Sequence, residues 1–307
     1  MSDIFVVTVS QIFIMLVFIV IGWILRKFRI LPEAASAVIS KLLVWVFIPS
    51  TIIKSLTANF TVPNLKEKVS ILVAGAFVTV VCYLLAKPLS KLFSKEDYPQ
   101  KVYAYSFVIP NTSYVGVPLI MAVFGEEMCC NMVVFTIPMF FLMYTWGMYV
   151  LTKQEKISFK SINNPVVYSI GIGILLGLLG VNIPTIPATI LENAGNCIAP
   201  CAMILAGYVV GSKPLKVSFG KPKAYLASLV RLVLLPAIIA VPMILFGIDK
   251  NVTFISVLTV AMPMGLNSIV FPEAIGQDSS EGAGMVLIST IMCIITVPLI
   301  TLLLLKM

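Results

Sequence analysis

IPNTSYVGVP, residues Ile109 to Pro118, sets two prolines, a glycine, an asparagine and the hydroxyls of Thr112 and Ser113 in ten residues of an otherwise apolar run. Its flanks, VYAYSF before and LIMAVFG after, read as a membrane-spanning helix over 102–124. The stretch therefore sits near the bilayer midplane. Proline in a helix interior removes a donor and clashes with the preceding turn, at a cost of about 3 kcal/mol. Peptide groups left unpaired in lipid cost more, so irregular backbone at that depth persists only inside protein or beside a wet cavity. A break of this kind also exposes helix ends, and the second half-helix begins with free N–H groups and a positive dipole end.

The rest of the chain supports a membrane setting. Of 307 residues, 60% are hydrophobic and 11% charged, and the mean hydropathy is +1.06. A soluble domain is about 45–50% apolar and about 25% charged. The excess falls in runs of about twenty residues, the length that crosses the hydrocarbon as a helix. No period-two alternation of the kind a membrane β-barrel needs is present. The pattern predicts an all-α polytopic membrane protein of ten spans, at 4–25, 36–57, 69–86, 102–124, 128–151, 165–181, 188–210, 224–246, 253–276 and 282–304. The connections are too short for a separate soluble domain. The opening MSD lacks a basic n-region and no small-residue cleavage site follows the first run, so that run reads as a retained span.

The net charge of +8 does not point to nucleic acid, because the basic residues lie between the apolar runs, where they set topology. With the N-terminus outside, fourteen face the cytoplasm: Arg26, Lys27, Arg29, Lys87, Lys91, Lys95, Lys101, Lys153, Lys156, Lys160, Lys213, Lys216, Lys221 and Lys223. Four, Lys66, Lys68, Lys250 and Lys306, face out. The bias predicts both termini outside the cell membrane. There is no histidine, which excludes a histidine proton relay or zinc held by histidine. The six cysteines have no metal-site spacing and read as small apolar packing; Cys129 and Cys130, near a helix end, also admit a reactive role. No nucleophile–base pair, metal constellation or nucleotide loop is visible, so an enzyme is the least supported class.

The prolines repeat. Pro32 and Pro184, Pro49 and Pro200, Pro110 and Pro263, and Pro118 and Pro272 are separated by 152, 151, 153 and 154 residues. VFIPSTIIKSL in span two answers CIAPCAMILAG in span seven, and IPNTSYVGVP in span four answers MPMGLNSIVFP (Met262–Pro272) in span nine. An offset of five spans turns the second half upside down. The reading is a 5+5 inverted repeat, residues 1–151 and 165–307 joined by a cytoplasmic loop at 152–164, an architecture common among secondary transporters. Two positive helix ends at midplane favour an anion, most simply a carboxylate. The candidate substrate-binding residues are Pro110, Asn111, Thr112, Ser113, Gly116, Pro118, Pro263, Gly265, Asn267 and Ser268. The asparagines offer donors and acceptors without the cost of a buried charge.

Ionisable groups inside spans are functional candidates by default. Glu273 carries a coupling proton, helps hold Na⁺, or sits in the interface. Glu192 and Lys41, each eight residues before a repeat-matched proline, read as snorkelling to the interface, with Glu192 also a coupling-ion candidate. Lys54 and Arg231 read as snorkelling, and Lys54 alternatively attracts an anion near the outer mouth. GILLG, Gly173–Gly177, marks close helix packing.

The stretches IPNTSYVGVPLIMAVFG (109–125), AMPMGLNSIVFPEAIGQD (261–278) and NAGNCIAPCAMILAGYVVG (193–211) resemble the auxin efflux carrier family, which includes plant auxin carriers and bacterial proteins described as malate or malonate permeases. The resemblance covers the whole chain in order. It implies ten helices with crossing broken helices four and nine in a transport domain, beside a scaffold of helices one, two, six and seven, as in bile-acid/sodium symporters. The family's crossover prolines fall on Pro110 and Pro263, and its asparagines on Asn111 and Asn267. Span three, 69–86, carries no charge and so lacks the acidic–basic pair of some plant members. The expectation is a secondary transporter of small organic anions working by alternating access, without a cofactor and with H⁺ or Na⁺ coupling open. Two rivals remain, a Na⁺-coupled carrier of larger amphipathic anions and a membrane sensor that does not transport. The expected partners are the anion, the lipid bilayer and, as one candidate assembly, a second copy in a homodimer; nucleic acid is not among them.

Overall fold

The structure, a computed structural model, describes residues 2–153, 156–157, 163–212, 219–220, 222–275, 277 and 279–306. Lys160, Lys213, Lys216 and Lys221, used above for orientation, and the side chain of Glu273 lie outside the described residues. The described chain is all-helical, with one isolated antiparallel bridge between Pro110 and Met264. Among the described residues seven helical segments are long and apolar enough to cross a bilayer: Val6–Lys27, Ala35–Asn59, Val62–Phe93, Thr112–Leu151, Thr185–Gly211, Pro222–Leu245 and Glu281–Leu305. Phe13, Phe77, Leu84, Ile186 and Leu245 all point outward and are exposed. So large an apolar exterior fits lipid as the surrounding medium and not water.

Of the ten expected spans, the second half of four runs together with five in Thr112–Leu151, six is the shorter helix Pro165–Leu178, and nine is not among the seven; for four and nine the reason is physical. Helix α1 is Ser2–Lys27; α2, Ala35–Leu42, runs through a π turn at Leu43–Phe47 into α3, Ile48–Asn59; α4 is Leu65–Phe93. Helix α5, Asp97–Val108, then stops after 12 residues, and the helical run resumes with a π turn at Thr112–Gly116 and α6, Val117–Leu142. In the second half, α13, Lys250–Val260, stops after 11 residues, and α14, Asn267–Ala274, resumes. Each expected span is thus cut at its first proline, Pro110 or Pro263. The second prolines do not break anything: Pro118 is the second residue of α6, and Pro272 lies inside α14.

A π turn precedes several prolines. Pro49, Pro118 and Pro236 each sit two residues beyond one, at Leu43–Phe47, Thr112–Gly116 and Val230–Leu234. The wider turn makes room for a residue that cannot donate to the ladder. The run Thr112–Leu151, which continues through α6 and a π turn at Met143–Gly147 into α7, Met148–Leu151, has 40 residues. Straight, it would reach about 60 Å, twice the hydrocarbon thickness. It is interrupted at Gly125, whose φ of 82° and ψ of −171° suit glycine alone. Expected spans four and five meet there.

The remaining helices are α8, Pro165–Leu178; α9, Thr185–Asn196; α10, Ile198–Gly211; α11, Pro222–Leu229; α12, Leu235–Leu245; and α15, Ser280–Leu305. Helix α1 packs along α10, α3 along α8 and α9, α4 between α5 and α6, and α12 along α13. Buried hydroxyls inside these helices return to their own backbone: Thr79 donates to the Gly75 carbonyl at 2.6 Å, Ser228 to Ala224 at 2.8 Å and Ser256 to Val252 at 2.6 Å. The GILLG pattern does what its spacing suggests. Gly173 and Gly177 seat α8 on α3, and a Cβ at Gly177 would stand 2.7 Å from the Leu56 carbonyl oxygen and collide with that of Phe60. Gly177→Val should therefore destabilise the fold by about 1–3 kcal/mol through overpacking. A fall in the thermal midpoint of the protein in detergent checks this, with Gly171→Val, where a Cβ meets open space, as the neutral control.

Candidate functional site

The two breaks lie against each other. Past Val108 the chain turns extended, and the Asn111 N–H donates to the Pro263 carbonyl at 2.8 Å. The Gly265 N–H donates to the Ile109 carbonyl at 3.2 Å. These two bonds form the Pro110–Met264 bridge. The Met264 N–H donates to the Ser289 hydroxyl at 3.1 Å. Each break thus answers part of the other's lost helical bonding, as irregular backbone at membrane depth must. Gly265 suits the close approach, because a Cβ there would lie 3.0 Å from the Ile109 oxygen and press on the bridge.

Around this bridge sit Pro110, Asn111, Thr112, Ser113, Gly265 and Asn267, together with Tyr114 and Met143, enclosing a space of about 10 Å³. That volume holds at most about one water molecule. Asn111 and Asn267 are both buried. The Asn267 side chain is engaged: it accepts from the Tyr114 hydroxyl at 3.3 Å and donates to the Met143 sulfur at 2.9 Å. The Asn111 Oδ1 is buried without a hydrogen-bond partner. A buried acceptor left open is costly, which makes this atom an unsatisfied polar group of the crossing.

Not every expected residue faces this space. Ser268 turns back on its own chain, both its N–H and its hydroxyl donating to the Gly265 carbonyl at 3.1 and 2.9 Å, and it packs on Gly282 of α15. Gly116 backs onto Met132 and Met262. Pro263 contributes its carbonyl to the bridge. Pro118 lines a different cavity of about 290 Å³, shared with Gln11, Thr51, Lys54, Glu126, Glu192 and Asn196. This cavity runs between α6 on one side and α1, α3 and α9 on the other. Its size is at the lower end for small-ligand pockets.

Three charges meet at its wall. The Lys54 ammonium lies 2.6 Å from Glu126 and 3.2 Å from Glu192. Lys54 and Glu192 are thus ion-paired with each other and do not simply snorkel apart. Glu126 escaped notice in the sequence; its position directly after Gly125, at the interruption of the long helix, is the signal that would have found it. Lys41 is exposed, as a snorkelling residue should be. Arg231 overturns that same reading. It is wholly buried, and its guanidinium donates to the Phe107 carbonyl at 2.8 Å and the Met262 carbonyl at 3.3 Å. Lys68, counted above as a charge outside the membrane, is also wholly buried and donates to the Asn131 side chain at 2.6 Å. Cys129 and Cys130 are buried, in line with packing. Among the described residues no cluster of three metal-ligating side chains occurs.

A chain of stacked apolar helices with polar groups gathered at an internal break is a multi-pass membrane protein of the transporter class. The sequence profile of the family described as membrane transport protein matches residues 6–301, and the chain belongs to that family, the auxin efflux carriers. A protein of Methanocaldococcus jannaschii named as an uncharacterized transporter is 25% identical over 309 residues, covering 95% of this chain and 97% of that protein.

The two spaces differ in access, which labelling can read. In a cysteine-free background, Asn196→Cys, on the exposed wall of the larger cavity, should react readily with a water-soluble maleimide, and Asn111→Cys should react at least about tenfold more slowly, as expected for a side chain seen by solvent only on local opening. Equal rates would contradict the closed crossing described here.

Proposed function

We propose that this protein is a secondary active transporter of small organic anions, mono- or dicarboxylates such as malate or malonate, in the cell membrane. Ten spans form two inverted halves, both termini face outside, and the anion binds at the crossing of the broken helices four and nine. The observation that carries the reading is the buried amide of Asn111, whose Oδ1 has no hydrogen-bond partner to hold its orientation, at a place where two helical segments, starting at Thr112 and at Asn267, both present their N-terminal ends. An amide in that position can rotate to donate to a carboxylate, and the helix ends add positive potential.

The crossing is too small to hold even malonate as it stands, so binding requires the helices to separate. The 290 Å³ cavity, which reaches Pro118 at the start of α6, supplies the approach from one side. Helices α1, α3, α8, α9 and α10 act as the scaffold, and the crossing segments move against them to open the site on the other side. Glu192 and Glu273 are the candidates for carrying a coupling H⁺ or Na⁺. The small cavity favours a compact acid over the bulky amphipathic anions of the rival Na⁺-coupled reading.

Asn111→Ala should lower uptake of radiolabelled malate or malonate into proteoliposomes at least about tenfold, as loss of a direct hydrogen bond to a charged group implies. Its thermal midpoint should remain near that of the unmodified protein. Full uptake by this variant would remove the site from the crossing. Binding without accumulation by the unmodified protein would favour a sensor.

A further inference from the structure

Among the described residues Arg231 and Lys68 are the wholly buried cations, and Lys68 has the Glu67 carboxylate 4.0 Å away. Arg231 lies in the π turn Val230–Leu234 between α11 and α12, and none of its side chain reaches the surface. A buried charge normally needs an opposite charge beside it. Among the described residues no carboxylate comes within ion-pair distance of Arg231. Its two hydrogen bonds go instead to backbone carbonyls, one from each broken span.

The identity of those carbonyls gives the arrangement its meaning. Phe107 is the penultimate residue of α5, and Met262 lies two residues beyond the end of α13. In an unbroken helix the Phe107 carbonyl would accept from the N–H of Asn111, which here is turned to Pro263. Helix C-terminal ends carry orphaned carbonyls and a negative partial charge. One guanidinium therefore reaches both negative ends at the crossing, and its Nη2 is left buried and unpaired.

We propose that Arg231 is the positioning and charge-setting residue of the crossing. It pins the C-terminal ends of α5 and α13 to one point, and it cancels their negative potential so that the positive ends of the segments starting at Thr112 and Asn267 dominate. The site is thereby made selective for anions over cations. The pinning half stands on the hydrogen bonds alone; the selectivity half rests on the transport reading given above.

Two measurements separate these halves. The first is hydrogen–deuterium exchange of the protein in lipid nanodiscs. Arg231→Met should speed exchange in peptides covering 107–113 and 261–267 by about tenfold or more, the scale of a lost charge-assisted hydrogen bond. Exchange in α1 and α10 should stay unchanged. Wild-type exchange at both crossing peptides overturns the pinning. If Arg231→Met does not fold, Arg231→Lys takes its place; with a single ammonium it should loosen at least one of the two peptides, and loosening of neither overturns the pinning. The second measurement is uptake of malate and malonate by Arg231→Lys and Arg231→Gln in proteoliposomes. The lysine variant should keep the substrate KM within about threefold, whereas glutamine should raise it about tenfold or more. Equal KM values for the two variants overturn the charge-setting role. Absence of uptake by the unmodified protein, and by Asn111→Ala alike, counts against the transport reading and with it the selectivity half, while the exchange data still decide the pinning.

Discussion

Two backbone hydrogen bonds, Asn111 to Pro263 and Gly265 to Ile109, hold together what would otherwise be two separate faults in the membrane interior. A single broken helix leaves peptide groups with no partner, and lipid provides none. Two breaks of opposite direction can each satisfy the other, and the antiparallel bridge between Pro110 and Met264 is the result. The surrounding structure follows from protecting that bridge. Met139 and Phe140 of α6 flank it, Ser289 of α15 takes up the Met264 N–H, and Gly265 allows the two chains to approach closely.

Charge is organised around the same place. Arg231 meets the carbonyl ends of the two helices that stop, and Lys54 bridges Glu126 and Glu192 across the cavity beside the helix that resumes. The first is buried and tied to backbone, so it is a fixed feature of the fold. The second is partly solvated and joins side chains of α3, α6 and α9, so its energy is modest and its partners can exchange. A fixed charge suits the definition of a site, and an exchangeable one suits a surface where two groups of helices meet.

The sequence made the membrane setting and the breaks legible for simple reasons. Apolar runs of twenty residues have few other uses, and a proline within such a run marks a place where a helix is open to breaking, as happens at Pro110 and Pro263. The GILLG spacing likewise translated directly into the seat of α8 on α3. What the sequence hid depends on rotation about helix axes. Arg231 and Lys41 look alike in a linear reading, each a lone cation in an apolar run, yet one points to the centre and the other to the surface. The second prolines of each motif looked equivalent to the first, but the π turn before Pro118 accommodates it, and Pro272 sits within α14. Ser268 carries the right chemistry for a ligand and yet is occupied by the Gly265 carbonyl beside it.

The small volume at the crossing has a meaning for the membrane itself. A space of about 10 Å³, lined by Phe140, Met139 and Met143 and the two bridged breaks, has no room for a file of connected waters. Without such a file there is no hydrogen-bonded wire along which protons could run. The packing of the crossing in this conformation therefore leaves no water-filled route through the place where α5 and α13 stop.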